Sequence, residues 1–346
     1  MKGLKRLLTI GLVILAIGMC LWSAGCVSNG DYDCKNHIHK WGTGKEFEGQ
    51  GSVETVVKYT CELCGKTATE YVDTENNGVI YRVSSDGNAE VCAYIGEATH
   101  VRIESSYRGY PVTRIGAEAF RGASISGITL PDELLEIGER AFDECYLLRN
   151  IIIPETVQFI GNYAFKGCSS LTKIEIPANV SRVGDGAFRG CSELTAIVFF
   201  NDMTALGNYV FDDCVKLEGI ALPQGLSAVG EQLFCDCESL TYIKIPDSVI
   251  SIDSSAFVLC KNLQTVVIGS GVQVIEPNAF GGCESLKTVY YNGTEIDWKK
   301  ISNDSLGELV NLNVEIYFYS EEQPTNDGNY WYADQYGIPA KWEKSM

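Results

Sequence analysis

Ile160-Gly161-Asn162-Tyr163-Ala164-Phe165-Lys166-Gly167-Cys168-Ser169-Ser170-Leu171-Thr172-Lys173-Ile174-Glu175-Ile176-Pro177 decides how this chain is read, because the same frame returns on both sides of it. Ile137-Gly138, Ala141-Phe142, Cys145, Leu148, Ile151, Ile153 and Pro154 make the preceding copy. Moving outward, Phe120, Phe142, Phe165, Phe188, Phe211, Phe234, Phe257 and Phe280 are separated by 22 residues once and by 23 six times, which defines eight units.

Within a unit, Ile-x-Ile has period 2 and puts both side chains on one face of a short strand, while the Ala-Phe segment has room for about one turn of α- or 3₁₀-helix. One strand and one turn make one coil. A coil of this size cannot bury its own Leu, Ile and Phe, so neighbours must stack, share a core and align their strands in parallel. Pro131, Pro154, Pro177, Pro223 and Pro246 end the strand, since proline lacks the amide a ladder needs. Gly116, Gly138, Gly161, Gly184, Gly207 and Gly230 suit a turn that needs relaxed backbone angles. Phe199-Phe200 stands where other units carry proline and marks an irregular coil.

The frame Ile-Gly-x-x-Ala-Phe-x-x-Cys-x-x-Leu-x-x-Ile-x-Ile-Pro, running over roughly residues 110 to 291, resembles the BspA-like leucine-rich repeat family of bacterial surface proteins. The entry from Tyr81-Arg82-Val83 to Gly109-Tyr110-Pro111-Val112 and the ending from Trp298 to Trp342 resemble that family as well. The resemblance implies recognition of host proteins or other cells. The expected fold is α/β: a leucine-rich-repeat solenoid with a parallel β-sheet and short helical or 3₁₀ turns, plus a small N-terminal zinc-ribbon-like module.

The cysteines divide by position. Cys145, Cys168, Cys191, Cys214, Cys237, Cys260 and Cys283 each follow a repeat Phe by three residues and form one inward column, in which a thiol serves as a small hydrophobe. Parallel stacking points these side chains the same way, which is poor geometry for disulfides. Cys92 and Cys235 stand outside the column without an assigned role. Near the start, Cys34, His37 and His39 precede Cys61-Glu62-Leu63-Cys64. Two separated ligand clusters fit a tetrahedral zinc site, and Cys-x-x-Cys aims two thiolates at one ion. This segment resembles small zinc-ribbon-like modules of secreted bacterial proteins. One structural zinc held by Cys61, Cys64, His39 and either Cys34 or His37 is the expectation, with a disulfide among the cysteines as the alternative.

Lys2, Lys5 and Arg6 precede an apolar run from Leu7 to Trp22, which reads as an export signal. Ser23-Ala24-Gly25-Cys26 resembles a lipobox, which implies acylation of Cys26; Ser23 departs from the pattern and leaves ordinary cleavage after Gly25 as the other route. The expected chain is exported and lipid-anchored to the cell membrane, facing outward. Its formal net charge of -18 becomes more negative once the three basic residues of the signal are removed, which argues against nucleic acid as a partner. The expected divisions are a signal peptide (1–25), an anchor linker (26–33), the zinc-ribbon-like module (34–72), an N-terminal cap (73–112), the repeats (113–291) and a C-terminal cap with an aromatic tail (292–346).

Catalytic motifs are missing from the sequence: His37, His39 and His100 are the only histidines, and no nucleophile elbow, metalloprotease helix or phosphate loop is present. The chain is expected not to be an enzyme. A binding site is expected on the outward face of the sheet, between the buried Ile residues. That column reads Thr129, Ile152, Glu175, Val198, Ala221, Lys244, Val267 and Tyr290, beside Asn150, Lys173, Tyr242, Thr265 and Thr288. Ile152, Glu175, Val198, Tyr242, Lys244, Val267 and Tyr290 are the candidate ligand-binding residues, for an extracellular protein or a surface glycan. Apolar residues in one exposed ladder mark an interaction site, although β propensity alone also favours them there. A passive envelope spacer is the alternative. Trp298, Ile301, Tyr317, Phe318 and Tyr319 are expected to cap the end, and Tyr330, Trp331, Tyr332 and Trp342 either join the cap or contact the cell wall.

Overall fold

Pairing between equivalent residues of successive repeats builds the architecture. The computed structural model describes residues 78–301, 313–325 and 328–342, with the backbone of the strands Lys45–Glu48, Thr55–Thr60, Thr67–Val72 and Ser302–Asn303. Cys26, Cys34, His37, His39, Cys61 and Cys64 lie outside the described residues, as does the export signal. The chain divides into two compact units, residues 1–168 and 169–346.

Each full coil carries two short strands and not the single one expected. In the first unit, Tyr110–Ile115, Glu136–Ile137 and Phe159–Ile160 pair in parallel, with Ile115, Ile137 and Ile160 side by side. A second sheet joins His100–Arg102, Gly127–Thr129 and Asn150–Ile151. In the second unit, Ala228–Val229, Ser251–Ile252, Val274–Ile275 and Ser302–Asn303 form one parallel set. Tyr242–Lys244, Thr265–Ile268, Thr288–Tyr291 and Glu315–Tyr319 form the other. Ile243, Val266 and Val289 align, so the register equals the repeat period. The irregularity expected at Phe199-Phe200 falls one coil later: Ala196–Phe199 pairs in regular register with Lys173–Ile176, and the next coil contributes only a bridge from Ala221 to Lys244.

The third side is a ladder of turns, and this corrects the α/β expectation. Among the described residues the one α-helix is Glu295–Trp298, so the fold is a β-solenoid with very little helix. In the Ala-Phe segment every second amide closes a turn within its coil: Ala141, Asp143 and Cys145 donate to the carbonyls of Gly138, Arg140 and Phe142. The intervening amides of Arg140, Phe142 and Glu144 donate to Asn162, Ala164 and Lys166 of the next coil. A helix would consume all of these amides inside one segment and leave none to hold the neighbour. The alternation forces left-handed backbone at Arg140 (φ 52), Glu144 (φ 62), Tyr163 (φ 55) and Gly167 (φ 69). For non-glycine residues this costs about 1 kcal/mol each, which the coil-to-coil bonds offset.

The Gly that follows Ile has a different role from the one expected. Gly138 and Gly161 do not adopt positive φ; a Cβ on Gly161 would meet Glu139 N and Gly138 C at 2.6 Å. Glycine is required by the approach of the neighbouring coil, and the left-handed positions fall elsewhere.

Side chains repeat the same spacing inside. Phe120, Phe142 and Phe165 stack with ring centroids 5.2 Å apart, and Tyr94 extends the column at its start. In the second unit Phe211, Phe234, Phe257 and Phe280 stack 5.3 to 5.5 Å apart. These separations suit offset aromatic stacking. The column thiols are buried and hydrogen-bonded: Cys145 Sγ donates to Phe120 O at 3.0 Å, and Cys168, Cys214, Cys237, Cys260 and Cys283 repeat the contact. A small apolar side chain with one donor fits a core site that faces a carbonyl. The first repeat has no earlier repeat Phe and carries Ala123 at this position. Burial pushes the Cys145 thiol up to about 12 and holds Cys168, Cys214 and Cys237 well above the ordinary thiol range.

The position after the repeat Phe is charged in the first five units, as Arg121, Asp143, Lys166, Arg189 and Asp212. Asp143 is fully buried, 3.5 Å from Arg121 Nε and 3.9 Å from Lys166 Nζ, and Asp212 lies 2.9 Å from Arg189. Burial raises the Asp143 carboxyl, and Lys166 and Arg121 oppose the shift. Cys235 continues this row beside Asp212 and Asp236, where burial lifts its thiol to about 12.

At the start, Val79–Ser84 and Ala89–Tyr94 form an antiparallel hairpin, and Ala89–Tyr94 pairs in parallel with Tyr110–Ile115. This hairpin lies against the first coil, with Tyr81 stacked on Tyr107 at 4.4 Å and Arg82 bound to Glu90 at 2.7 Å. Thr67–Val72 pairs antiparallel with Val79–Ser84, and Thr55–Thr60 and Lys45–Glu48 follow in turn. The strands of the expected module and of the cap therefore belong to one antiparallel sheet.

Two outcomes follow from this packing. Gly161→Ala is expected to destabilise the chain by about 2 kcal/mol, whereas Gly219→Ala, where a Cβ meets nothing within 4 Å, changes urea stability by less than about 0.5 kcal/mol. In the native chain, Cys145, Cys168, Cys214 and Cys237 resist iodoacetamide at about pH 8 and label fully in urea, as mass spectrometry would show.

Candidate recognition groove

Alternation along the Ile-x-Ile strand sends one residue outward between two buried neighbours. Ile151 and Ile153 are buried while Ile152 is 85% exposed, and Glu175, Ala221 and Lys244 are exposed in the same way. Val198 is half-buried. Val267 and Tyr290, expected on the open face, are instead 2% and 8% exposed. The C-terminal tail covers them.

The tail is built to do this. Glu315–Tyr319 adds a parallel strand beside Thr288–Tyr291, placing Tyr317 next to Tyr290. Tyr330–Ala333 pairs with it over two residues, then turns at Asp334 and returns as Pro339–Lys341. Asp334 Oδ1 accepts from the amides of Tyr336 and Ile338, which fixes the turn. Trp331 packs with Val267 and Tyr290, its ring 5.5 Å from Tyr290 and 5.2 Å from Tyr319. Its Nε1 donates to Tyr291 O at 2.9 Å, so the buried indole N–H is satisfied. Lys341 Nζ lies 4.2 Å over the Tyr317 ring and 3.2 Å from Glu315. Of the residues expected to cap the end, Trp298 and Ile301 are buried, and Trp298 packs edge-on against Tyr291 at 5.1 Å. Thr294 caps the short helix that holds Trp298.

Between the tail hairpin and the outward face lies a groove of about 180 Å³. Tyr242, Lys244 and Val267 come from the sheet, and Tyr319, Trp331 and Pro339 from the tail. At one end sits Asp247. Asn292 Nδ2 donates to its two oxygens at 2.7 and 2.9 Å, and Ser270 donates through N at 2.8 Å and Oγ at 3.2 Å. A Cβ on Gly269 would meet Pro246 O at 2.3 Å, and one on Gly271 would meet Asp247 O at 2.0 Å, so glycine at both positions lets this end close. Burial raises the Tyr242 hydroxyl.

Tyr242, Lys244 and Val267 are the predicted residues that this groove brings together, Val267 as a buried part of its wall. Ile152 lies in the other unit, and Glu175 and Val198 sit on earlier strands outside it. Asp247, Asn292, Tyr319 and Trp331 were missed as site residues. The loss of the strand-ending proline at Gly269 and the aromatic density after residue 316 were the available signals. Among the described residues, Asp212, Cys235 and Asp236 are the one group spaced for a metal, but Asp212 is engaged by Arg189 and the thiol is held protonated.

Two parallel strand sets, a turn ladder and a 23-residue period define a leucine-rich-repeat β-solenoid. The chain belongs to the BspA type leucine rich repeat family, whose repeat matches in six copies over residues 113–237 and 204–321. It is similar to a leucine-rich repeat protein from Bacteroides ovatus at 28% identity, covering 62% of this chain and 70% of that one, with a TM-score of 0.46. A second from Bacteroides capillosus is 31% identical over 36% of this chain and 94% of its own, with a TM-score of 0.33. A leucine rich cell surface protein from Faecalibacterium prausnitzii is 21% identical over 68% and 98%, with a TM-score of 0.34. No curated protein matches the chain.

Trp331→Ala is expected to lower stability by about 3 kcal/mol and to expose Val267 and Tyr290. Urea unfolding, together with faster hydrogen exchange over residues 330–341, would check this.

Proposed function

We propose that the chain is a non-catalytic recognition module displayed on the cell surface, binding an extracellular protein or a surface glycan through the outward face of its sheet. The observation that carries the reading is the outward face itself. In the first unit Ile152 stands 85% exposed between two buried residues, and in the second Tyr242 and Lys244 line a groove that mixes aromatic and polar side chains. Large exposed apolar groups set beside charged ones are the composition of interaction surfaces. The family is one of repeat proteins, and a similar chain is described as a cell surface protein. Acylation at Cys26 would anchor the chain to the membrane. One structural zinc on Cys61, Cys64, His39 and either Cys34 or His37 would stabilise the amino-terminal strands. Cys61 and Cys64 fall in the connection between the paired strands Thr55–Thr60 and Thr67–Val72. Such a site has four protein ligands and leaves no open position for catalysis.

The test is binding of the full chain to immobilised extracellular-matrix proteins, mucins and bacterial wall glycans, beside a variant carrying Ile152→Ala, Glu175→Ala and Lys244→Ala. Saturable binding that weakens at least ~10-fold in the variant, with stability unchanged, is expected. Absence of binding by both would favour a passive envelope spacer.

A further inference from the structure

We infer that the groove between the outward face and the tail hairpin is a pyranose site, which takes one neutral hexose ring of a surface glycan. This rests on the recognition reading above and names the ligand class for one part of that face.

Size comes first. At about 180 Å³ the groove is smaller than the roughly 300 Å³ at which pockets begin to hold drug-sized ligands, so it admits one ring and not a folded element of a partner. Its walls come next. Tyr242, Tyr319 and Trp331 line it, two of them from the tail and one from the sheet. A pyranose offers a flat patch of C–H groups on one face, and the negative face of an aromatic ring attracts their partial positive charge.

The polar end then selects among ring-sized ligands. Asn292 and Ser270 hold Asp247 in one orientation with three contacts on Oδ1 and one on Oδ2, which leaves Oδ2 as the fixed acceptor for a hydroxyl donor. Lys244, from the same face, supplies a donor. Neighbouring hydroxyls of a sugar both donate and accept, so one can give its proton to Asp247 while the next accepts from Lys244. An aliphatic ligand would strip water from both charges and return nothing. A carboxylate or phosphate would face Asp247 on a chain of formal net charge -18. An organic cation would find aromatic faces but also Lys244. A neutral polyhydroxyl ring avoids each of these penalties.

The test titrates the full chain with the methyl glycosides of glucose, galactose, mannose and N-acetylglucosamine, with choline as the cation probe, by saturation-transfer NMR. Saturable binding of at least one glycoside is expected, with strongest transfer to ring C–H protons. Asp247→Asn and Tyr242→Ala each weaken it about 10-fold or more, while Gly219→Ala, outside the groove and with open space for a Cβ, leaves it unchanged. Tyr242 is exposed, so Tyr242→Ala reads the site even if Asp247→Asn disturbs the fold. No saturable glycoside, equal binding by wild type and both groove variants, or binding of choline in place of sugar would each overturn the assignment. Loss of the glycoside result with surface binding intact overturns the sugar site alone; loss of both removes the recognition reading as well.

Discussion

The distance from one coil to the next governs this molecule. Amides that leave the Ala-Phe turn to reach the following coil set that distance, and the strand pairs on the other two sides keep it. Everything stacked inside inherits the spacing. Phe rings meet at about 5 Å because the backbone brings them there, and aromatic attraction then reinforces the arrangement. Gly138 and Gly161 serve the same constraint from outside the core, since any side chain there would push the coils apart. Left-handed backbone at Arg140 and Tyr163 is the accompanying strain, accepted so that alternate amides can face the neighbour.

Much of the fold was legible because a repeat states its own register. The Phe spacing, the buried Cys column and the strand-ending prolines all follow from one coil needing its neighbours. Two features were not legible. A segment of six residues with Ala and Phe has the composition of a helical turn, and only the neighbour's unfilled carbonyls make alternating turns the better solution. The Ile-Gly strand was also hidden, because two residues are too few for periodicity to register. Nothing in the sequence next to Asp143 marks it as buried, because its countercharges, Arg121 and Lys166, come from the adjacent coils.

The candidate site was half visible for a similar reason. Alternation identified Tyr242 and Lys244 correctly as outward residues, since it depends only on the pleat. It misplaced Val267 and Tyr290, because nothing local says that a tail beginning twenty-five or more residues later will lie on them. Trp331 needed an acceptor for its indole N–H and an apolar bed, and the last coils offered both. The tail thus removes part of the face from solvent and, in doing so, makes a groove that a bare sheet would lack.

The thiol contacts have a direction. Cys145 donates backward, to a carbonyl of the previous coil, while Phe142 N–H donates forward, to the next. A stack made this way is polar, like an actin-type filament with unlike ends, though it is one covalent chain. Its first coil meets the hairpin and not a repeat, and carries Ala123 where later coils carry the thiol; its last coil must find receivers for forward-facing amides. The two closing structures are therefore not interchangeable. Lengthening by duplication can occur only between coils, where both polarities are already matched.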